Sequence, residues 1–174
     1  MLRLLTFALL ATLMVMAPAR AQMLGSDIQA NVAPTIQNIA YSSGNAVGAL
    51  QTVGVFRSIG SGLFNGVVLA WKGTETTALT YYVFDSKPNA STCTDGSAFS
   101  LAAADIPKLV LPPFTLTAAA PSVGTTTTSA QSSFTAFSVS NKDGTNNLYV
   151  CTVSGGTFTP AVGDLTYKLS VLQD

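Results

Sequence analysis

Near its C-terminal end the chain alternates strictly: Leu165, Tyr167, Leu169 and Val171 are separated by Thr166, Lys168 and Ser170. A period of two puts all four apolar side chains on one face of an extended strand, which no helix can do. The same alternation appears in miniature over Phe114-Thr115-Leu116-Thr117. It appears again over residues 133–140, where Phe137 and Val139 oppose Phe134 and Ala136. Three further runs are apolar on both faces: Gly66 to Trp71, Leu79 to Phe84 and Leu148 to Val153. Such runs read as central strands covered on each side. Residues 46–56 and 32–39 are weaker strands, the latter demoted to an edge or lead-in by Pro34.

Turn chemistry separates the runs, with Trp71-Lys72-Gly73-Thr74-Glu75, Asn141-Lys142-Asp143-Gly144, Ser154-Gly155-Gly156 and Gly163-Asp164 as the clearest cases. Helix signals are confined to residues 100–109, where Asp105 can cap a single turn and Pro107 suits only a first turn. Eight or nine short strands with turns about every 8 to 12 residues predict an antiparallel β-sandwich or jelly-roll.

The N-terminus reads differently. Met1-Leu2-Arg3, an apolar run from Leu4 to Met16 and the Ala-x-Ala pattern of Ala17-Pro18-Ala19-Arg20-Ala21 together predict a signal peptide over 1–21. Its apolar core is too short to span a membrane. The alternative is a buried helix or an uncleaved anchor. Residues 22–40 are then an extended lead-in and 41–174 the β-domain. Export implies an oxidising, extracytoplasmic setting, secreted or periplasmic, in which Cys93 and Cys151 are expected to pair. The bridge would stabilise by about 4 kcal/mol on chain entropy. The alternative is two buried thiols.

Composition narrows the chemistry. Histidine is absent and Glu75 is the single glutamate. The commonest general base and metal ligand are therefore missing, and a Cys nucleophile would lack its usual activator. Taking Arg3 and Arg20 from the eight basic residues leaves six against eight acidic ones, with no basic patch to bind nucleic acid. No second apolar stretch of membrane-spanning length follows the leader. Charged residues make up only 9% of the chain, so Ser, Thr, Asn and Gln must carry solubility. That kind of surface suits extracellular β-proteins and repeated assembly contacts.

No catalytic motif emerges, and no cofactor or metal is expected. Gly60-Ser61-Gly62 with Gly66 misses dinucleotide-binding spacing and reads as a hairpin or bulge. Asp85, Asp95 and Asp105 recur every ten residues without the spacing of a calcium loop, which favours turn and cap roles. Trp71, Tyr81, Tyr82, Tyr149 and Tyr167 could stack on a sugar, but their places inside strands point to core packing. Asn89-Ala90-Ser91 matches a glycosylation sequon. The run Thr125-Thr126-Thr127-Thr128 lies in a polar stretch, 121–133, expected to be a long loop and a candidate surface contact.

The chain resembles a group of small β-rich proteins encoded in the structural gene regions of tailed phages and prophages. The resemblance runs from Tyr41-Ser42-Ser43-Gly44-Asn45-Ala46-Val47-Gly48 through Tyr82-Val83-Phe84-Asp85-Ser86-Lys87-Pro88 and Ala104-Asp105-Ile106-Pro107-Lys108-Leu109. It ends with Asn147-Leu148-Tyr149-Val150 and Asp164-Leu165-Thr166-Tyr167-Lys168-Leu169. It implies a non-enzymatic virion component such as a capsid decoration, head-fibre or tail accessory protein, with no catalytic residues to carry over. The leader and the cysteine pair depart from that pattern, since virions assemble in the reducing cytosol. The expected function is a structural or binding module that self-associates or docks on a larger protein assembly, apparently exported, with the virion as alternative location. A secreted carbohydrate-binding or adhesion module, with a glycan as partner, is the other reading.

Overall fold

The computed structural model describes residues 26–57, 60–72, 75–117, 128–140 and 142–173. The expected leader and residues 125–127 of the threonine run lie outside them. Within the described residues eight strands form: β1 (Ser26–Val32), β2 (Gln51–Gly54), β3 (Ser61–Trp71), β4 (Leu79–Phe84), β5 (Phe114–Leu116), β6 (Thr128–Ser140), β7 (Asn147–Ser154) and β8 (Leu165–Gln173). Among the described residues the one helical element is a 3-10 turn over Ala103–Lys108, inside the expected helical window.

Pairing is nested. β1 pairs with β8, β2 with β7, β3 with β6 and β4 with β5, all antiparallel, as in one long hairpin folded at the β4–β5 connection. Ladders between β3 and β8 and between β4 and β7 roll that hairpin into two sheets, β1-β8-β3-β6 and β2-β7-β4-β5. This order is that of the jelly roll, one of the two architectures expected from the strand pattern.

The main core lies between the sheets. From β8 come Leu165, Tyr167, Leu169 and Val171, all at most 2% exposed, as their alternation requires. Beside it in the same sheet, β3 adds Phe64, Val67, Leu69 and Trp71, which do not share one parity in sequence. A bulge between Phe64 and Gly66, seen against both neighbours, inserts Asn65 and resets the phase, so residues on both sides of it point inward. Leu79, Tyr81 and Val83 of β4, with Leu148 and Val150 of β7, close the core from the other sheet. Trp71 meets Phe158 edge-on, with ring centroids 5.4 Å apart, and Tyr81 meets Tyr167 likewise at 5.4 Å.

A second, smaller core sits outside the β2-β7-β4-β5 sheet. Ala46, Phe84, Tyr149, Cys151 and Val153 are buried there beneath Leu50, Tyr82, Cys93, Phe99, Leu101 and Leu109. Most of this cover belongs to residues 85–113, the excursion between the paired strands β4 and β5. Cys93 of the cover is bonded to Cys151 of β7, with Cα atoms 6.1 Å apart. The pairing expected from the sequence is present.

Two boundaries differ from expectation. The first strand is Ser26–Val32 rather than a run over 32–39. It lies within the expected lead-in, and Pro34 follows its end. β1 hides its pattern by alternating small or polar residues with Ile28 and Ala30, and only Val32 is fully buried. The expected loop over 121–133 overlaps β6, which begins at Thr128, in register with Trp71.

Removing the bridge (Cys93→Ala with Cys151→Ala) should lower the unfolding free energy in urea by about 4 kcal/mol while leaving the far-ultraviolet β signature intact. A loss under about 1 kcal/mol would contradict this constraint. The Tyr81 hydroxyl is buried with no hydrogen-bond partner among the described residues. Tyr81→Phe is therefore expected to raise stability by about 1 kcal/mol, and a loss of that size would show a missed partner.

Candidate functional site

The three evenly spaced aspartates do not converge; each ties down a different piece of chain. Asp95 accepts hydrogen bonds from the Tyr41 hydroxyl at 2.7 Å and from the Gly48 N–H at 2.6 Å, both on Oδ1. The Gln37 N–H reaches its Oδ2 at 3.2 Å. Burial, then the bond to Asp95, pushes the Tyr41 phenol up to about 12. Gly48 has φ +77°, and a Cβ there would sit 2.7 Å from Pro34 Cβ, so the tight turn that presents its N–H needs glycine.

Asp105 was expected to cap the short helical turn, and that role is corrected. The capping position is Ala102, without a side-chain bond. The Asp105 carboxylate, 1% exposed, instead accepts the N–H groups of Asn89, Ala90 and Ser91 at 3.2, 2.9 and 2.7 Å, and the Ser91 hydroxyl at 2.8 Å. Lys108 Nζ stands 2.8 Å from Oδ1, the oxygen that also takes the Asn89 N–H. The Lys108 bond, with those of Ser91 and Ala90, outweighs desolvation and holds Asp105 well below the ordinary 3.8. Asp85, also buried, pairs with Lys142. Among the described residues no three His, Cys, Asp or Glu side chains group to hold a metal ion.

The other candidates are structural too. Trp71, Tyr81, Tyr149 and Tyr167 are at most 6% exposed, and Tyr82 packs on Phe99 at 4.4 Å within the cover. They form no open stacking platform. Ser91 of the sequon spends its hydroxyl on Asp105 and on the Ala102 N–H, at 3.0 Å. Cys93 and Cys151 fasten the cover. Thr128 opens β6, while the other three threonines of the proposed contact loop lie outside the described residues. Among the described residues, no helix is long and apolar enough to cross a membrane.

What remains is a surface the sequence reading did not single out: the outer face of β1-β8-β3-β6. The opposite sheet is covered, and among the described residues none forms such a cover on this one. Asp27, Gln29 and Asn31 of β1, Thr166, Lys168, Ser170 and Leu172 of β8, and Leu63 and Val68 of β3 point outward, the last two 40% and 39% exposed. Asp27 accepts from Ser170 at 2.6 Å and from Gln29 at 3.0 Å, and these bonds hold its carboxyl below the ordinary value. At the other end, Asn31, Val68, Ala70, Thr166 and Lys168 line an open groove of about 420 Å³. The available signal was the single cation in the wet half of the β8 alternation.

This face offers hydroxyl and amide groups that both donate and accept, interspersed with apolar side chains. It suits broad contact with another surface. The carboxylate clamps in the cover of the opposite sheet have a consequence for pH. Asp105 has a depressed folded-state pKa, so its contribution is full above the ordinary carboxylate range and is lost as pH falls below 3.8. Asp105→Ala should lower the melting midpoint at pH 7 by about 10 °C and flatten the loss of stability below pH 4. An unchanged acid profile in the variant would contradict this assignment. Compared with known proteins, the chain matches no family model and no curated protein sequence.

Proposed function

We propose that this chain is a non-enzymatic structural module that docks on a larger protein assembly through the bare β1-β8-β3-β6 face. It acts in the manner of the tailed-phage and prophage virion accessory proteins it resembles. The observation that carries the reading is the asymmetry of the two sheets. One is sealed under residues 85–113 by a disulfide and two carboxylate clamps. The other keeps Leu63 and Val68 open to solvent among small polar side chains. A sheet face of that composition, on a rigid scaffold, recognises by shape. Jelly rolls recur in viral capsid and lectin domains, an analogy of fold alone. The lectin-like reading loses the aromatic platform it needs, because the core takes four of the five rings. Export through the leader is part of the proposal, and the disulfide is compatible with it.

The test is mass spectrometry of particles purified by density gradient from the producing culture. Peptides from 41–174 should co-sediment with capsid or tail proteins at constant stoichiometry, and a cleaved leader should leave a peptide beginning at Gln22. Recovery only as free protein in the culture fluid would contradict the virion reading.

A further inference from the structure

The outer face of β1-β8-β3-β6 is built to match itself. In all four strands only two residues are charged, Asp27 and Lys168. The register places them at opposite ends of the face. Asp27 is level with Leu172, which is level with Leu63. Lys168 is level with Asn31 on one side and Val68 on the other. Midway between these rows lies a third, Gln29, Ser170 and Gly66. The two outer rows are four residues apart along β8, roughly 13 Å.

We propose that two copies of this chain pair face to face through this sheet, about a two-fold axis crossing the strands at the level of Ser170. The inference rests on reading the bare face as the contact surface, and takes the part of the assembly that this face meets to be a second copy of the chain. Such an axis reverses position along the strands and keeps position across them. Leu63 of each copy then lies over Val68 of the other. Leu172 enters the neighbour's groove beside Lys168, and Asp27 comes down next to Lys168 across the interface. Each copy contributes one acid and one base, so two equivalent ion pairs form, as an isologous contact requires.

Among the described residues neither charge has an ion-pair partner within its own chain. The Asp27 carboxylate is already aimed across the face by Ser170 and Gln29. The middle row is narrow, with Gly66 and Ser170 at its centre, so the sheets can approach closely there. The face measures roughly 19 by 30 Å, about 600 Å² a side and 1,200 Å² in all, at the lower end of what specific interfaces bury. Strands of the two copies would run within about 30° of each other, as in aligned sheet packing.

Sedimentation velocity on the disulfide-intact protein tests the pairing. A monomer–dimer equilibrium with micromolar dissociation constant is expected. Asp27→Lys and Lys168→Asp should each weaken it roughly tenfold, and the two together should restore it to within about threefold. Val68→Asp should abolish it, with melting midpoints reported for every variant to exclude unfolding. A protein that stays monomeric near 1 mM would overturn the pairing, as would a dimer indifferent to both single changes or a double swap that fails to recover. Incorporation into particles as a monomer would sink the pairing alone. A dimer absent from particles would sink the virion reading alone.

Discussion

Burying β7 on both faces is the constraint from which the rest of the architecture follows, because every residue from Leu148 to Ser154 is withdrawn from solvent. Leu148 and Val150 are satisfied by the opposing sheet, as in any two-layer fold. Tyr149, Cys151 and Val153 point the other way and need a third layer. Residues 85–113 supply it. A stretch with one short 3-10 turn and no long strand has few ladder bonds of its own, so something else must order its backbone.

Carboxylates do that ordering. A buried carboxylate has about four acceptor sites and no donors, so it suits a turn whose N–H groups converge without partners. Asp105 collects three successive backbone donors and one hydroxyl, and Asp95 collects two N–H groups and a phenol. Lys108 compensates the charge at Asp105, so burial there leaves the acid ionised rather than neutral. The disulfide then ties the cover to the strand it protects. With one sheet sealed, the other keeps its outer face open among the described residues, wetted by the polar alternation along β8.

Legibility in the sequence tracked the range of the physics involved. Alternation along β8 and the two-sided runs of β4 and β7 depend on burial alone, so their type and place were readable and the latter implied a cover. The third such run, Gly66 to Trp71, was expected to be covered on both faces too, yet Val68 on its outer face stays open to solvent. The disulfide followed from compartment and count. β1 was not readable as an integral strand, because Ser26-Asp27-Ile28-Gln29-Ala30 resembles a polar loop until β8 pairs with it from the far end of the chain. The start of β6 was masked by its threonines and serines for the same reason. The aspartates show the limit most sharply: Asp85, Asp95 and Asp105 look alike locally, and only contacts up to 58 residues away distinguish them. The candidate face required knowing which sheet the cover sits on, a fact held in topology rather than in any motif.

Hydrogen–deuterium exchange on the oxidised protein tests most directly whether the excursion is a built third layer. The amides of Gly48, Ala90 and Ser91, which donate to Asp95 and Asp105, should exchange as slowly as those of β7, within about tenfold, because they open only when the core does. Exchange of these three within seconds, while β7 stays protected, would mean the cover moves independently and the account is wrong.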